Sequence, residues 1–190
     1  MRARAWLALA LLLGAGTAAA AASADAVLAR GARDGKVPAW AIAVATPPGW
    51  TRDCCMYARA IGVDAVLYQG DWSGKPQRVM VLNVWPRQLP TLAAEVDADH
   101  RRYHQLDPAG RIARFALRHP TMRCDATVYQ GSDHIDDVLA FCEPAQDSGI
   151  RLSWSMTLDA DEPQRRALLD AFMQVVMASR YQRDGAAHAH

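Results

Sequence analysis

The stretch Arg123–Pro144, RCDATVYQGSDHIDDVLAFCEP, decides the fold. Thr127-Val128-Tyr129 and Val138-Leu139-Ala140-Phe141 are strand-like, and the polar Gly131-Ser132-Asp133 run between them supplies the turn. An antiparallel hairpin is predicted. A turn centred on Asp133 sets Cys124 opposite Cys142, and directly opposed residues on neighbouring strands bring their β-carbons within reach of a bridge. A slip of one residue would send the two side chains to opposite faces and forbid it.

Downstream, RLSWSMTL (Arg151–Leu158) alternates with period two. Leu152, Trp154, Met156 and Leu158 face one way; Arg151, Ser153, Ser155 and Thr157 face the other. This is the pattern of an antiparallel strand with one wet or lightly covered face. Asp161, with Gln164 three residues on, is the expected N-cap of a last helix. Leu168, Leu169, Phe172, Val175 and Val176 form its apolar stripe, which should lie across the sheet.

Upstream, Trp40–Ala45 (WAIAVA), Ala65–Gln69 (AVLYQ) and Arg78–Pro86 (RVMVLNVWP) read as strands. The last is apolar on both faces and is placed centrally. Cys54–Ala60 fits helix or strand equally. Leu92, Val96, His100 and Tyr103 recur at helical spacing, with Pro90 suited to a first turn and Asp107-Pro108-Ala109-Gly110 as the stop. Arg111–Arg118 is a further strand. Strands, helix, strands, helix with hairpin-like connections give an α+β fold: an antiparallel twisted sheet with helices packed on it, an αβα sandwich. The expected organisation is a leader over 1–24, a lead segment with helical leaning over 25–38, one domain over 39–182 and a disordered tail over 183–190.

The order of an early strand ending in PPGW, then AVLYQGD, RVMVLNVWP, a helix, a long hairpin, a last strand and RRALLDAFMQVVMASR resembles the PsbP/DcrB-like superfamily across about residues 40–182. That resemblance implies the same sheet-and-helix architecture. It also implies a non-catalytic adaptor, assembly factor or envelope protein, with no catalytic residues to carry over. The double cysteine Cys54-Cys55 is not part of that pattern.

The opening residues MRARAWLALALLLGAGTAAAAASADA follow the grammar of a cleaved secretory signal: Arg2 and Arg4, an apolar run from Trp6 to Leu13, and small residues Ala22-Ser23-Ala24. A periplasmic or secreted location is expected. The full chain has 21 basic and 20 acidic residues. Loss of Arg2 and Arg4 leaves one acidic residue in excess, which gives no support for a nucleic-acid partner. No later segment is apolar for long enough to span a bilayer as a helix.

In an oxidising compartment four cysteines read first as disulfides. Cys124 pairs with Cys142 if the hairpin register holds; otherwise Cys54 or Cys55 reaches across to the hairpin. A redox pair prefers Cys-x-x-Cys beside a helix start, and a zinc site prefers spaced ligand pairs. Cys54-Cys55 has neither pattern.

His100 and His104 lie four apart on one helix side and could share a metal, with Asp97 and Asp99 nearby. Arg-Arg-Tyr between them excludes a His-Glu-x-x-His helix, and His100 falls on the apolar stripe, as a packed histidine does. Gly131–Asp137 (GSDHIDD) holds serine, histidine and three aspartates on what reads as a solvated turn. No Gly-x-Ser-x-Gly motif occurs. The tryptophans left after leader removal are Trp40, Trp50, Trp72, Trp85 and Trp154. Trp154 and Trp85 read as core, while Trp50 and Trp72 are candidate partner contacts. The function that follows is an exported, disulfide-stabilised binding or adaptor module without cofactor, meeting a protein partner in the cell envelope. The alternatives are a metal-dependent hydrolase on the His100/His104 face and a thiol-redox protein using Cys54 and Cys55.

Overall fold

Cys124 and Cys142 do face each other across a hairpin. In the computed structural model, which describes residues 26–33, 37–73 and 76–183, β7 (Arg123–Gln130) pairs antiparallel with β8 (Ile135–Glu143), Cys124 opposite Cys142. Their sulfurs lie at disulfide distance, with α-carbons 4.1 Å apart. The turn closes through Gly131 N–H to the Ile135 carbonyl at 2.8 Å. Asp133 accepts from Ile135 N–H at 3.0 Å, and His134 takes a left-handed φ of 67°.

The hairpin is part of a seven-stranded antiparallel sheet. Besides β7 and β8 it holds β3 (Thr51–Asp53), β4 (Ala65–Gln69), β5 (Arg78–Pro86), β6 (Arg111–Phe115) and β9 (Ile150–Asp159), in the order β3-β4-β5-β9-β8-β7-β6. The period-two strand β9 therefore sits in the middle, one place further in than β5. Register makes the two faces explicit. Leu152, Trp154 and Met156 of β9 stand beside Val84, Leu82 and Met80 of β5 and beside Cys142, Ala140 and Val138 of β8. That face is the main core. Helix α3 (Arg165–Ala178) covers it with Leu168, Phe172, Val175 and Val176. At the helix end, buried Ser179 accepts from Trp154 Nε1 at 2.9 Å and donates to the Val175 carbonyl at 2.9 Å. The donor of a fully buried indole is thus satisfied.

The opposite face carries two shorter covers. Helix α1 (Tyr57–Ala60) closes a small apolar cluster around Ala58, Val66 and Tyr68. Helix α2 (Leu92–Leu106) lies over β7 and β8, with Val96 its buried residue. Thr91 caps α2 by accepting from Ala94 N–H at 3.1 Å, and Asp107 closes it. Pro90 thus precedes the cap and is not in the first turn. The fold is α+β, with helices on both faces of the large sheet.

Several expectations are corrected. Within the lead segment, 26–31 is a strand and not helix: β1 (Ala26–Gly31) pairs with β2 (Trp40–Val44), and β10 (Arg180–Arg183) pairs with the other edge of β2. This three-stranded sheet adds Leu28, Trp40, Ile42 and Val44 to the main core. Arg183, read as the start of the tail, ends β10 and pairs with Asp147. Residues 1–24 and 184–190, with the leader and most of the tail, lie outside the described residues. The last helix begins at Arg165, with Gln164 as cap residue, and not at Asp161. Pro163 disfavours helical backbone at Glu162, and the Glu162 carboxylate, not Asp161, accepts Gln164 N–H at 2.9 Å. The undecided stretch at 54–60 resolves into a bend and α1. Its start is organised by Asp53, so a helix does begin just after the double cysteine. Gly149, at φ 71°, turns the chain from a 3-10 turn (Gln146–Ser148) into β9. A β-carbon added there would press on Val37.

Candidate functional site

The face of β9 expected to be wet is covered at one end and open beside it. Arg151 and Ser153 point toward α2, along with Trp85 and Asn83 of β5 and Phe141 of β8. Arg151 is completely buried. Burying an arginine demands that its charge be matched; of its donors here, Nε is left without a partner among the described residues. Here Nη1 lies 2.6 Å from Glu95 of α2 and donates to the Leu89 carbonyl at 3.1 Å, while Nη2 lies 3.1 Å from Glu143 of β8. Arg87, at 3.0 Å, and Arg123 complete the ring around Glu143. Burial alone would raise the Glu143 carboxyl. The hydrogen bond and charge of Arg151, joined by the charge of Arg87, outweigh that and hold it below the usual carboxylate range.

Glu95 does more than balance charge. Its carboxylate accepts Trp85 Nε1 at 3.3 Å, Gln88 N–H at 3.0 Å and Leu89 N–H at 3.1 Å. One side chain from α2 thereby ties the loop after β5, the Trp85 indole and the Arg151 guanidinium together. Trp85 is half-buried and meets Phe141 edge to face at 6.4 Å. It belongs to this site and not to the main core, against expectation: on β5 it has the parity of Asn83, which faces away from α3.

Between the α2 wall and this floor runs a cleft of about 460 Å³. Asn83, Gln88, Arg102 and Ser153 line it. Among the described residues none pairs with these four side chains, and none of their polar atoms is sealed without a partner. Their hydrogen-bonding capacity is therefore open to the cleft. Asp99 also lines it and accepts from the Tyr129 hydroxyl. Burial, with the hydrogen bond and charge of Asp99, pushes the Tyr129 hydroxyl far above its ordinary range.

The sequence candidates fall elsewhere or into supporting roles. His100 Nε2 lies 3.2 Å from the Thr127 hydroxyl, and its ring meets Tyr129 edge to face at 5.7 Å. Burial, then the charge of Arg114, lowers its pKa. His104 stands beside Tyr103. Among the described residues no three or more His, Cys, Asp or Glu side chains gather as a metal requires. Trp50 is only 8% exposed and packs in the core, so it offers no contact surface. Trp72 is half-buried, stacked on Tyr57 at 4.7 Å and set edge to face on Tyr68 at 5.2 Å. It caps the α1 cluster. The sulfurs of Cys54 and Cys55 also lie together, at the mouth of a separate cleft. Sequence reasoning missed Glu95, Arg151 and Arg102. No local signal marked them: Arg151 has the parity of the face of β9 that reads as wet.

No family model matches the chain, and no curated protein matches it. Among solved structures it is similar to the solution structure of cyanobacterial PsbP (CyanoP) from Synechocystis sp. PCC 6803. The TM-score is 0.47 and the identity 13%, over 90% of this chain and 99% of that one. No helix of the described residues is long and apolar enough to cross a membrane.

Proposed function

We propose that this is an exported, disulfide-stabilised binding module of the cell envelope, without catalysis of its own, and that it meets a protein partner in the cleft between α2 and the sheet. The observation that carries this reading is the pairing of a locked frame with unlocked contacts. Glu95 and Arg151 fix wall and floor, while Asn83, Gln88, Ser153 and Arg102 keep their hydrogen-bonding capacity unused around Trp85. Tryptophan and arginine are the side chains on which protein interfaces most often concentrate binding energy, and a pre-organised site loses little entropy when filled. Cysteines at disulfide distance are compatible with an extracytoplasmic location.

The test is site-directed photo-crosslinking in the envelope. A crosslinking residue at Gln88 should trap a discrete protein partner, and the same residue at the far-side position Arg166 should not. With that partner purified, Trp85→Ala and Arg102→Glu should each weaken binding by about tenfold or more, as central anchors do. Trp72→Ala should leave it unchanged. Equal trapping from both positions, or full affinity in Trp85→Ala, refutes the assignment of the cleft.

A further inference from the structure

The four sulfurs occupy two unlike settings. Cys124–Cys142 joins residues 18 apart and lies against the core, with Cys142 fully buried. Cys54 and Cys55 are neighbours. A bond between neighbours closes no loop of chain beyond its own peptide, so it removes almost no entropy from the unfolded state. Bracing, which explains the first pair, cannot explain the second.

The surroundings of the second pair are those of an accessible site. Cys55 is exposed and Cys54 half-buried. Both border a cleft of about 390 Å³ between β1 and α1. Its walls include Arg59, whose guanidinium has no partner among the described residues, and Asp64, whose carboxylate accepts Val84 N–H at 2.6 Å. The local backbone is held without help from sulfur. The Asp53 carboxylate accepts the N–H groups of Cys55, Met56, Tyr57 and Ala58 at 3.2, 3.1, 2.7 and 2.9 Å. Burial opposes its ionisation, but these four donors prevail and lower its pKa. Making or breaking the sulfur bond therefore leaves the start of α1 in place.

We propose that Cys54–Cys55 is a reversible thiol–disulfide exchange site whose co-reactant is a small acidic thiol. The thiolate of that compound attacks the exposed Cys55 sulfur. The bond between the two protein sulfurs breaks, its electron pair leaves on Cys54, and that thiolate takes a proton from water. A mixed disulfide now joins Cys55 to the small molecule. A second thiolate attacks the small-molecule sulfur, forms the small disulfide and releases Cys55 as thiolate. Two electrons pass from two small thiols to the protein, which gains one dithiol. The unpaired guanidinium of Arg59 favours the anionic attacker, while the Asp53 carboxylate is already occupied by four backbone N–H donors. This site is separate from the α2 cleft and stands whether or not a protein partner binds there.

The test uses the intact mature protein with two thiol probes: reduced glutathione, which carries two carboxylates, and cysteamine, which carries an amine. Acid quenching, alkylation and peptide mass spectrometry follow each pair with time. Under native conditions the 54–55 pair should open at least about tenfold faster than the 124–142 pair, because accessibility limits exchange. A glutathione adduct should appear on Cys55. Arg59→Glu should slow glutathione and not cysteamine. A Cys54→Ser/Cys55→Ser double variant should melt like the wild type. Equal rates for the two pairs, a 54–55 pair inert to both probes, or equal effects of Arg59→Glu on the two reagents would each overturn the proposal.

Discussion

Replacing both Cys124 and Cys142 with alanine removes a constraint whose size can be worked out. The residues lie 18 apart in sequence, and loop-closure entropy for such a span amounts to about 3 kcal/mol. Cys142 is fully buried and Cys124 packs against the main core, so the missing sulfurs add roughly 1 kcal/mol of lost apolar burial. A total of about 4 kcal/mol is a large share of the ~5–15 kcal/mol that holds a domain together. At ~2–4 °C per kcal/mol for a chain of this size, Tm should fall by roughly 8–16 °C. Urea unfolding followed by tryptophan fluorescence measures the free energy, and calorimetry the Tm. The matched control is Cys54→Ala/Cys55→Ala, which opens no loop, loses only the contact of the half-buried Cys54 with the core, and should stay within about 1 kcal/mol of wild type. The reasoning fails if both double variants lose the same stability, or if the 124/142 double melts within about 2 °C of wild type.

Arg151→Met should cost roughly 3–5 kcal/mol, because Glu143 keeps Arg87 and Arg123 while Glu95 is left with no guanidinium. Adding Glu95→Gln should recover part of the loss; a fully stable Arg151→Met single variant would contradict the network described. Stability should also fall with acid in two stages. Burial first, with Arg114 for His100 and Arg180 for His119, lowers the pKa of both histidines, against partial opposition from neighbouring aspartates and the Ser179 carbonyl. Groups held neutral in the fold stabilise it fully above the unfolded value of ~6.5, and that contribution fades as pH drops below it. Glu143, held below its unfolded value, contributes above ~4.3 and is lost at lower pH. Thermal melts from neutral pH to acid should show both declines, with His100→Gln reducing the first. A Tm constant across the first decline would exclude the histidine contribution.

Local pattern was sufficient for most of the large sheet, though not for its short edge strand β3. Alternation in Arg151–Leu158 assigned its core residues, since period two leaves each side chain a choice of only two faces. The spacing of Cys124 and Cys142 about the Asp133 turn pointed to the hairpin register that the structure shows, with the alternative of a bridge from Cys54 or Cys55 still open. The helical stripe Leu92–Tyr103 marked α2 to within a cap residue. None of this required contacts remote in the chain.

What lay beyond local pattern was held together by contacts between distant residues. Ala26–Gly31 and Arg180–Arg183 have little alternation of their own and become strands because β2 offers them two free edges. Arg151, Glu143 and Glu95 come from two strands and a helix, and their union decides that the charge of a fully buried arginine on the face opposite the main core is matched. The cleft exists only because α2 stops short of covering β5 and β9 completely. Strand periodicity is a property of consecutive residues and survives in the bare sequence. Charge pairing and cleft shape depend on which distant surfaces meet, and folding alone settles that.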